Sequence, residues 1–567
     1  MEKKIVCLLL CTLLMIIPVL SVVGATNNND VLSRSFIRYH PSELRTKEGR
    51  SKTSLWLEIA KLNNSNGTMD DYFGLSVSIS GDFGIVGVPG YNEKTGTAYV
   101  FKRSGTTWIQ DAKLNASDAG MNDNFGYSVS ISGDSAIVGA PNDNSLTGSA
   151  YVFTRTGTTW VQEAKLLASD GTPGDWFGDS VSINGDAAIV GAPGDNVFLG
   201  SAYVFERTGS VWVQEARLNA SDGALYDWFG FSVSISGDSA VVGTPFQTSS
   251  TGASYIFTRS GTTWMLQQKL TASDGASYDL FGDSVSMDGD SVIIGAYGDD
   301  TSAGVNAGSA YLFTRTGTTW TEDAKVTASE GVAGEQFGYA VSISEDRIIV
   351  GTYQVYHEDI GSAYIFKHIG TTWFEEATLR ASDGKLHDYF GWSVSINDNS
   401  AIIGAPGDDY NINIENIGSA YVVCQPTPPT PDLDGKGSLV WTDVKANATV
   451  TGMFQVGNIG QPGSLLNWSV TSYPSWGTWT FSPSNGTGLA AGSWINVTAT
   501  CVAPDKKNTQ FTGNIIISNT KDPTDNDIIP ISLKTPVCKD FQFHLCFERF
   551  LKRFPIIFSV LRYIFGY

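Results

Sequence analysis

One phrase recurs along most of this chain and constrains its fold more than any other feature. The phrase FGYSVSISGDSAIVGAP occupies residues 125–141, and near-copies precede and follow it. The Phe-Gly pair that opens each copy falls at Phe73, Phe125, Phe177, Phe229, Phe281, Phe337 and Phe390. Five of the six steps are 52 or 53 residues and one is 56. Repeats of about fifty residues are typical of propellers and solenoids.

Each copy contains four segments with the pattern of β-strands. In the second copy these are FGYSVSI, in which apolar residues alternate with serine, then AIVGAP, GSAYVF and a segment of the form W-x-x-x-A-K-L. The continuous apolar run AIVGAP predicts a strand that is buried on both faces. Four short strands per unit, separated by Gly, Asp, Pro and Thr turns, predict one blade of a propeller.

The connections between these strands alternate between short and long. Strands one and two are joined by a Ser-Gly-Asp turn, and strands three and four by Thr-Gly-Thr-Thr, both typical of tight hairpins. The other two connections are longer, as at residues 141–148 and 168–176. Because alternate turns of an up-and-down blade emerge on opposite sides, we expect a hairpin face and a long-loop face.

The ends of the repeat region indicate how the ring closes. The region begins with a lone fourth strand at Trp56–Leu62 and finishes with a third strand at Ser419–Val423 that has no fourth. Pairing of these two strands would complete the seventh blade and remove both open edges. The sequence therefore predicts an all-β protein with a seven-bladed β-propeller at residues 54–424, closed by the N-terminal strand.

The phrase FGYSVSISGDSAIVGAP, followed by GSAYVF, resembles the FG-GAP repeat of the integrin α-subunit propeller, in the form found in exported prokaryotic proteins. The resemblance covers about two-thirds of the chain, and all seven Phe-Gly pairs are present. Gly-Ala-Pro stands at Gly139, Gly191 and Gly404 and is altered in the other four copies. The resemblance implies a propeller fold and a ligand-binding role for the long-loop face.

The calcium loop of that family is absent here. Calcium requires six to eight oxygen ligands, whereas this chain has one Asp on a tight turn in six copies, as at Asp134, and Asn399 in the seventh. We interpret this Asp as a turn residue that bonds local backbone N–H groups. No cofactor is expected to be required, and calcium stays possible only through other residues.

The candidate ligand residues lie in the long loops before each Phe-Gly pair. Their carboxylates and tryptophans could attract cations, a basic partner or sugars, although solvated turn residues and packing between blades explain them as well. The set comprises Asp118, Asp170, Asp175, Trp176, Asp222, Asp227, Trp228, Asp274, Asp279, Asp383 and Asp388.

Catalysis is not expected. The recurrent GTTW resembles the end of the sialidase Asp-box, but Arg155 and its equivalents occupy the Asp position. The five His residues make no H-x-x-x-H or H-E-x-x-H spacing, and no nucleophile elbow or phosphate loop is present. A site for catalysis needs a singular set of residues, and seven near-equivalent units do not favour one.

The flanking segments suggest an exported protein with a second domain. Residues 1–25 have the pattern of a signal peptide, and 26–53 form an N-terminal extension. A Pro-rich linker at 425–434 precedes 435–535, where about seven short strands predict an immunoglobulin-like β-sandwich. The amphipathic basic tail at 536–567 either lies on a membrane surface, packs on the sandwich or serves as a sorting signal.

Charge and side-chain chemistry limit the classes of partner that this protein is expected to bind. The net charge of −21 excludes nucleic acid, which requires a surplus of Lys and Arg. Glycosylation acceptors, as at Asn115 and Asn219, fit an exported surface, and no pairing of Cys424, Cys501, Cys538 and Cys546 can be assigned. We expect a secreted or cell-surface adhesion protein that binds a surface protein or glycan. The alternatives are a structural envelope component and a carbohydrate-active enzyme.

Overall fold

The computed structural model describes residues 56–64, 67–105, 107–353, 360–408, 416–425 and 430–536, together with Arg549 and Arg553. The predicted signal peptide and N-terminal extension lie outside the described residues, as does nearly all of the tail with Cys538 and Cys546. No disulfide joins Cys424 and Cys501, the two cysteines that are described. None of the helical segments in these ranges is long and apolar enough to cross a membrane.

Seven four-stranded antiparallel sheets form the repeat region, one per copy of the phrase. The blades are numbered by copy. The strands of blades 1 to 3 are Val77–Ser80, Phe83–Val88, Thr97–Ser104 and Thr107–Leu114 in blade 1, Ser128–Ser132, Ser135–Ala140, Ser149–Thr156 and Thr159–Leu166 in blade 2, and Ser180–Asn184, Ala187–Ala192, Ser201–Thr208 and Val211–Leu218 in blade 3. The strands of blades 4 to 7 are Ser232–Ser236, Ser239–Thr244, Ala253–Ser260 and Thr263–Leu270 in blade 4, Val285–Asp288, Ser291–Ala296, Ser309–Thr316 and Thr319–Val326 in blade 5, Phe337–Ser344, Arg347–Thr352, Ala363–Ile369 and Thr372–Leu379 in blade 6, and Ser393–Asn397, Ser400–Ala405 and Ser419–Cys424 in blade 7. The prediction of a seven-bladed all-β propeller is confirmed.

The strand that precedes all the copies is the outer strand of blade 7. Leu57–Leu62 pairs antiparallel with Ser419–Cys424, with Leu57 opposite Cys424 and Leu62 opposite Ala420. Lys61 also forms ion pairs with Asp383 and Asp408, both at 2.6 Å. The beginning and the end of the repeat region are therefore joined in one sheet.

The serines of the phrase connect neighbouring blades. The side chain of Ser128 donates to the carbonyl of Gly178 in the next blade at 2.8 Å. Ser130 accepts a hydrogen bond from the backbone N–H of Ile183, and Ser132 accepts one from Gly185. Equivalent bonds join blade 7 to blade 1, where the Ile79 N–H donates to Ser395. The alternation of Ser with Val and Ile therefore gives each inner strand one polar side towards the next blade and one apolar side towards the previous one.

The Phe of each Phe-Gly pair fills the junction between two blades. Phe125 is fully buried and belongs to a core that includes Ile85 and Val100 of blade 1 and Tyr151 of its own blade. Its ring lies 5.4 Å from that of Tyr151, close to edge-on. The second strand, which the apolar run predicts to be enclosed, is buried at every residue from Ser135 to Ala140.

The turn Asp has a partner that the sequence analysis does not assign to it. Asp82 accepts hydrogen bonds from the guanidinium of Arg103 at 2.7 Å, and Asp186 and Asp238 pair in the same way with Arg207 and Arg259. The interpretation as a residue that bonds local backbone N–H groups is therefore wrong in detail. The turn Asp therefore connects the first hairpin of a blade to the third strand of the same blade, because the Arg of that third strand lies directly across from the Asp.

Four of the connections between strands two and three contain a short left-handed turn. In blade 3, Asn196, Val197 and Phe198 have φ values of 49°, 61° and 61°. Non-glycine residues avoid this region because Cβ approaches the following carbonyl. The four turns are Tyr91–Lys94, Asp143–Leu146, Asp195–Phe198 and Gln247–Ser250.

The C-terminal described region consists of two sheets around one core. One sheet has the order Leu433–Lys436, Thr449–Asn458, Trp494–Val502 and Thr478–Ser482; the other has Leu439–Trp441, Asn526–Lys534, Gln510–Asn519, Leu465–Ser472 and Asn485–Ala490. Side chains from both sheets, including Phe454 and Ile515, share a buried cluster. Nine strands are present where the sequence predicts about seven, and the immunoglobulin-like topology stays a prediction.

Candidate functional site

The long loops of the seven blades all leave the sheets at one face of the ring. The inner strands of neighbouring blades contact each other around the whole ring, including blade 7 with blade 1. At the hairpin face, the axis opens into a cavity of about 320 Å³, lined among others by Ser80, Ser132 and Asn184. These small polar side chains already accept hydrogen bonds from the next blade.

The first group of predicted carboxylates is neutralised by cations of the same face. Lys165 lies 2.6 Å from both Asp118 and Asp143, and the hydroxyl of Tyr151 donates to Asp118 at 3.0 Å. Burial opposes ionisation of Asp118, but the bonds from Lys165 and Tyr151 outweigh it and lower its pKa. The same arrangement holds the other members of the group: Asp170 with Arg217, Asp222 with Lys269, Asp274 with Lys325, and Asp383 with Lys61.

The second group of predicted carboxylates is buried beneath the loops. Asp175 is 4% exposed and accepts a hydrogen bond from the backbone N–H of Thr172 at 2.6 Å. Asp227, Asp279 and Asp388 do the same for the residue three positions before each of them. A ligand at either group would have to compete with these internal bonds.

The two predicted tryptophans belong to an aromatic wall at blades 3 and 4. Trp176 and Trp228 are edge-on to each other at 5.7 Å, and Phe198 stacks on Trp228 at 5.2 Å. Phe231 and Phe246 lie 6.0 Å and 5.0 Å from Trp228. These five residues, partly exposed, are the first aromatic wall.

A second aromatic wall lies at blades 5 to 7. The ring of Tyr339 contacts those of Tyr297, Tyr353 and Trp392 at 5.0 to 5.5 Å, and Tyr389 lies 6.1 Å from Trp392. In two of these positions the chain departs from its own repeat, since Tyr297 and Tyr353 replace the Pro of Gly-Ala-Pro. This wall is absent from the sequence-based set of candidates.

The residue after each Phe-Gly pair forms the centre of this face, and sequence analysis missed it. In six blades it lies just before the inner strand, at the opposite end of that strand from the residues that line the cavity of the hairpin face, such as Ser132. The neighbouring positions repeat almost without change, but this one differs in nearly every blade. We call it the axial set: Leu75, Tyr127, Asp179, Phe231, Asp283, Tyr339 and Trp392. Variation at one position among near-identical repeats is the signal that could have identified it.

Electrostatic coupling shows that members of the axial set share one space. The negative potential of Asp179 raises the pKa of Tyr127, and Asp283 adds to the effect from three blades away. Burial and Asp283 also raise the pKa of Tyr339. These four residues come from blades 2, 3, 5 and 6, and side chains of non-adjacent blades approach one another only around the axis.

The two axial carboxyl groups keep their protons to a higher pH than an ordinary Asp does. Burial raises the pKa of Asp179 to about 7 and that of Asp283 to about 8. Neither side chain has a hydrogen-bond or ion-pair partner among the described residues. In the loops that precede blades 2 and 6, Asn124 and Gln336 each bury a side-chain oxygen that also lacks a partner among the described residues. The centre of the long-loop face thus contains polar groups whose bonding capacity the described protein does not use.

Replacing both axial carboxyl groups by amides should change how stability depends on pH. At pH 3 and below, both the folded and the unfolded chain are largely protonated at these positions, so Asp179→Asn/Asp283→Asn should match the wild type. As pH rises towards 8, the unfolded chain loses these protons while the folded chain retains them, and the wild type loses stability. At pH 8.5 we expect the variant to be more stable than the wild type by roughly a few kcal/mol. This difference is smaller than the pKa shifts alone would give, because solvent screens partly exposed charges.

Guanidinium unfolding monitored by tryptophan fluorescence at pH 3 and pH 8.5 measures this difference. The control Glu345→Asn/Asp398→Asn removes two carboxylates from the hairpin end of the channel and tests for an effect of net charge alone. Equal stability of wild type and double variant at pH 8.5 would show that the axial carboxyl groups are ordinary solvated acids.

Within the described ranges, no three His, Cys, Asp or Glu side chains converge as a metal site would require. The family model of the FG-GAP repeat matches seven segments, at residues 56–101, 108–153, 160–205, 212–257, 264–313, 320–366 and 373–423. Together these segments cover more than half of the chain. Among curated proteins, none matches this sequence.

Proposed function

Because the chain belongs to the FG-GAP repeat family, a class of propeller often used for binding or adhesion, we propose that it is a non-catalytic binding protein of the cell surface or exterior. Its ligand, a surface protein or glycan, contacts the long-loop face around the axis. The pattern of a signal peptide at residues 1–25 and the sandwich that follows the propeller support export and display.

The observation that carries this proposal is the placement of the residues that break the repeat. Seven near-identical units place the same side chains at seven equivalent positions, so a unique surface arises only where the units differ. The axial set and the two aromatic walls differ from blade to blade, and they meet at one mouth. By contrast, Ser80 and its small polar equivalents at the hairpin end of the axis are engaged in bonds between blades, and only Asp288, Glu345 and Asp398 add carboxylates to the described lining there.

A binding experiment tests the long-loop face directly. Tyr226 and Tyr278 are 50% and 71% exposed in long loops, with φ values of 72° and 76° that Asn tolerates. We expect Tyr226→Asn/Tyr278→Asn to weaken binding of the purified protein to an array of surface proteins and glycans by roughly tenfold, because exposed tyrosines contribute much of the contact energy at such surfaces.

The matched control changes two equally exposed side chains on the outer strands. Val161→Asn/Val213→Asn, both 54% exposed in the wild type, should leave array binding unchanged. Absence of any bound protein or glycan, with or without chelator, would contradict the proposal. Equal loss in both double variants would place the binding surface elsewhere than the long-loop face.

A carbohydrate-active enzyme is the second candidate, and the axial carboxyl groups favour it. A carboxyl group whose pKa burial raises towards neutrality can act as a general acid, and glycosidases use two carboxyl groups. Asp179, Asp283, Tyr127 and Tyr339 provide two acids and two tyrosines, but no arginine belongs to the axial set. Release of reducing ends from a bound glycan would decide for the enzyme.

A further inference from the structure

The mouth of the long-loop face combines two kinds of side chain that suit one class of ligand. The first and second aromatic walls belong to blades 3 to 4 and 5 to 7, and each wall includes members of the axial set. Asp179 and Asp283 belong to the axial set in blades 3 and 5, with Phe231 of blade 4 between them in the ring order. Apolar ring surfaces and hydrogen-bonding groups therefore face the same space.

The carboxyl groups of this mouth are available to a ligand. The nine predicted carboxylates in the long loops are bonded to Lys, Arg, Tyr or backbone N–H groups. Asp179 and Asp283 have no such partner within the described residues, although each is only partly exposed. A half-buried polar group without a partner in the described protein favours a ligand that supplies the missing hydrogen bonds.

The chemistry of the mouth disfavours charged ligands. Near neutral pH the raised pKa values of Asp179 and Asp283 leave a substantial part of both groups uncharged, so the mouth carries less fixed negative charge than two ordinary carboxylates would offer to a strongly basic ligand. An anionic ligand would meet a protein of net charge −21 and would raise the cost of ionising both groups further. The remaining class is a neutral ligand with many hydroxyl groups and an apolar face.

Resting on the proposed function, we propose that the axial mouth binds an uncharged glycan. The C–H face of a sugar ring stacks on the aromatic walls, as apolar surfaces do on Trp and Tyr. Hydroxyl groups of the same sugar exchange hydrogen bonds with Asp179 and Asp283, which can donate as well as accept when protonated. Both walls include members of the axial set, so we expect a single chain end or branch of the glycan to occupy the space at the axis.

The test uses the full chain and an array that carries uncharged oligosaccharides, acidic oligosaccharides, basic peptides and surface proteins. The uncharged set consists of gluco-, manno-, galacto-, xylo- and chito-oligosaccharides. The test variant is Asp179→Ala/Asp283→Ala. The control is Glu345→Asn/Asp398→Asn, which removes two carboxylates from the hairpin end of the same channel. Asn is chosen there because both positions have positive φ, 51° and 53°.

We expect the wild type and the control to bind at least one uncharged oligosaccharide. We expect the test variant to bind the same oligosaccharide at least roughly tenfold more weakly. Thermal unfolding of all three proteins shows that a loss of binding is not a loss of folding. A second variant, Trp392→Phe, keeps an aromatic ring at the mouth and should retain most of the affinity.

Three outcomes overturn the inference. If the array captures surface proteins or basic peptides but no sugar, the glycan inference fails while the proposed binding function stands. If a sugar binds but the test variant binds it as tightly as the control does, the glycan site lies elsewhere. If nothing on the array binds, both the glycan inference and the proposed function fail.

Discussion

Substitution of Gly87 by Ala should destabilise the propeller by about 3 kcal/mol or more. Gly87 lies in the second strand of blade 1, and a Cβ there would stand 2.0 Å from the carbonyl oxygen of Gly126 and 2.3 Å from the side-chain oxygen of Ser76. Gly126 belongs to the Phe-Gly pair of blade 2, so the Gly of Gly-Val-Pro in blade 1, like that of Gly-Ala-Pro in blades 2, 3 and 7, lies against the Gly of the next Phe-Gly. The closest atom is a backbone oxygen of the next blade, and blades 1 and 2 must separate to relieve the clash.

Gly84 is the matched control because it lies in the same strand, Phe83–Val88, three residues away. A Cβ at Gly84 would lie 3.5 Å from the indole of Trp108, an ordinary contact, and blades 2 to 4 have Ala at the equivalent position. Gly84→Ala should therefore be neutral or should stabilise by about 0.5 kcal/mol through the reduced entropy of the unfolded chain. Denaturant unfolding measures both variants, and equal effects would refute the contact between the two glycines as the reason for the motif.

A disulfide across the ring closure should have a large effect of the opposite sign. Leu57 pairs with Cys424 in the outer two strands of blade 7. Directly opposed residues of antiparallel strands have Cα atoms about 4.5–5.5 Å apart, within the range that a disulfide spans. Leu57→Cys should form a bond that encloses the entire propeller. In the chain-entropy model, such a loop stabilises by up to about 5 kcal/mol, less any strain at the new bond.

The readouts are a shift in non-reducing electrophoresis and a rise in the unfolding midpoint that a thiol reductant abolishes. Leu57→Cys/Cys424→Ser is the control for loss of the Leu57 side chain and for bonds to other cysteines. Failure of the bond to form, or a bond without a change in stability, would contradict the pairing of the first strand with the last.

The local structure of each blade can be predicted from the sequence. Four strand patterns and two tight turns per copy predict a blade, because hairpins depend on residues a few positions apart. Seven copies of that unit predict a ring of seven blades. The buried second strand is equally plain from its continuous apolar run. The turn Asp shows where this reasoning ends, since its charge pairs with Arg103 some twenty residues away rather than with adjacent backbone.

Some features of the candidate site could likewise be predicted from the sequence, and others could not. Sequence reasoning located the long-loop face and Trp176 and Trp228, but it could not know that Lys165 and its equivalents neutralise the loop carboxylates. It also passed over Asp179 and Asp283, which look like any other Asp in a Gly-rich turn. Their environment depends on six other blades.

The sequence by itself thus determined the repeat, the strands of each blade and the face on which the long loops emerge. Those properties follow from alternation, turn residues and chain order, all of which act over short distances. Only the tertiary structure decided which side chains meet at the axis, because the axis exists only once residues more than three hundred positions apart, such as Ile79 and Ser395, are joined. Closing the ring places Asp179 and Asp283 in a shared, partly enclosed space, and that enclosure raises their pKa and leaves them open to a ligand.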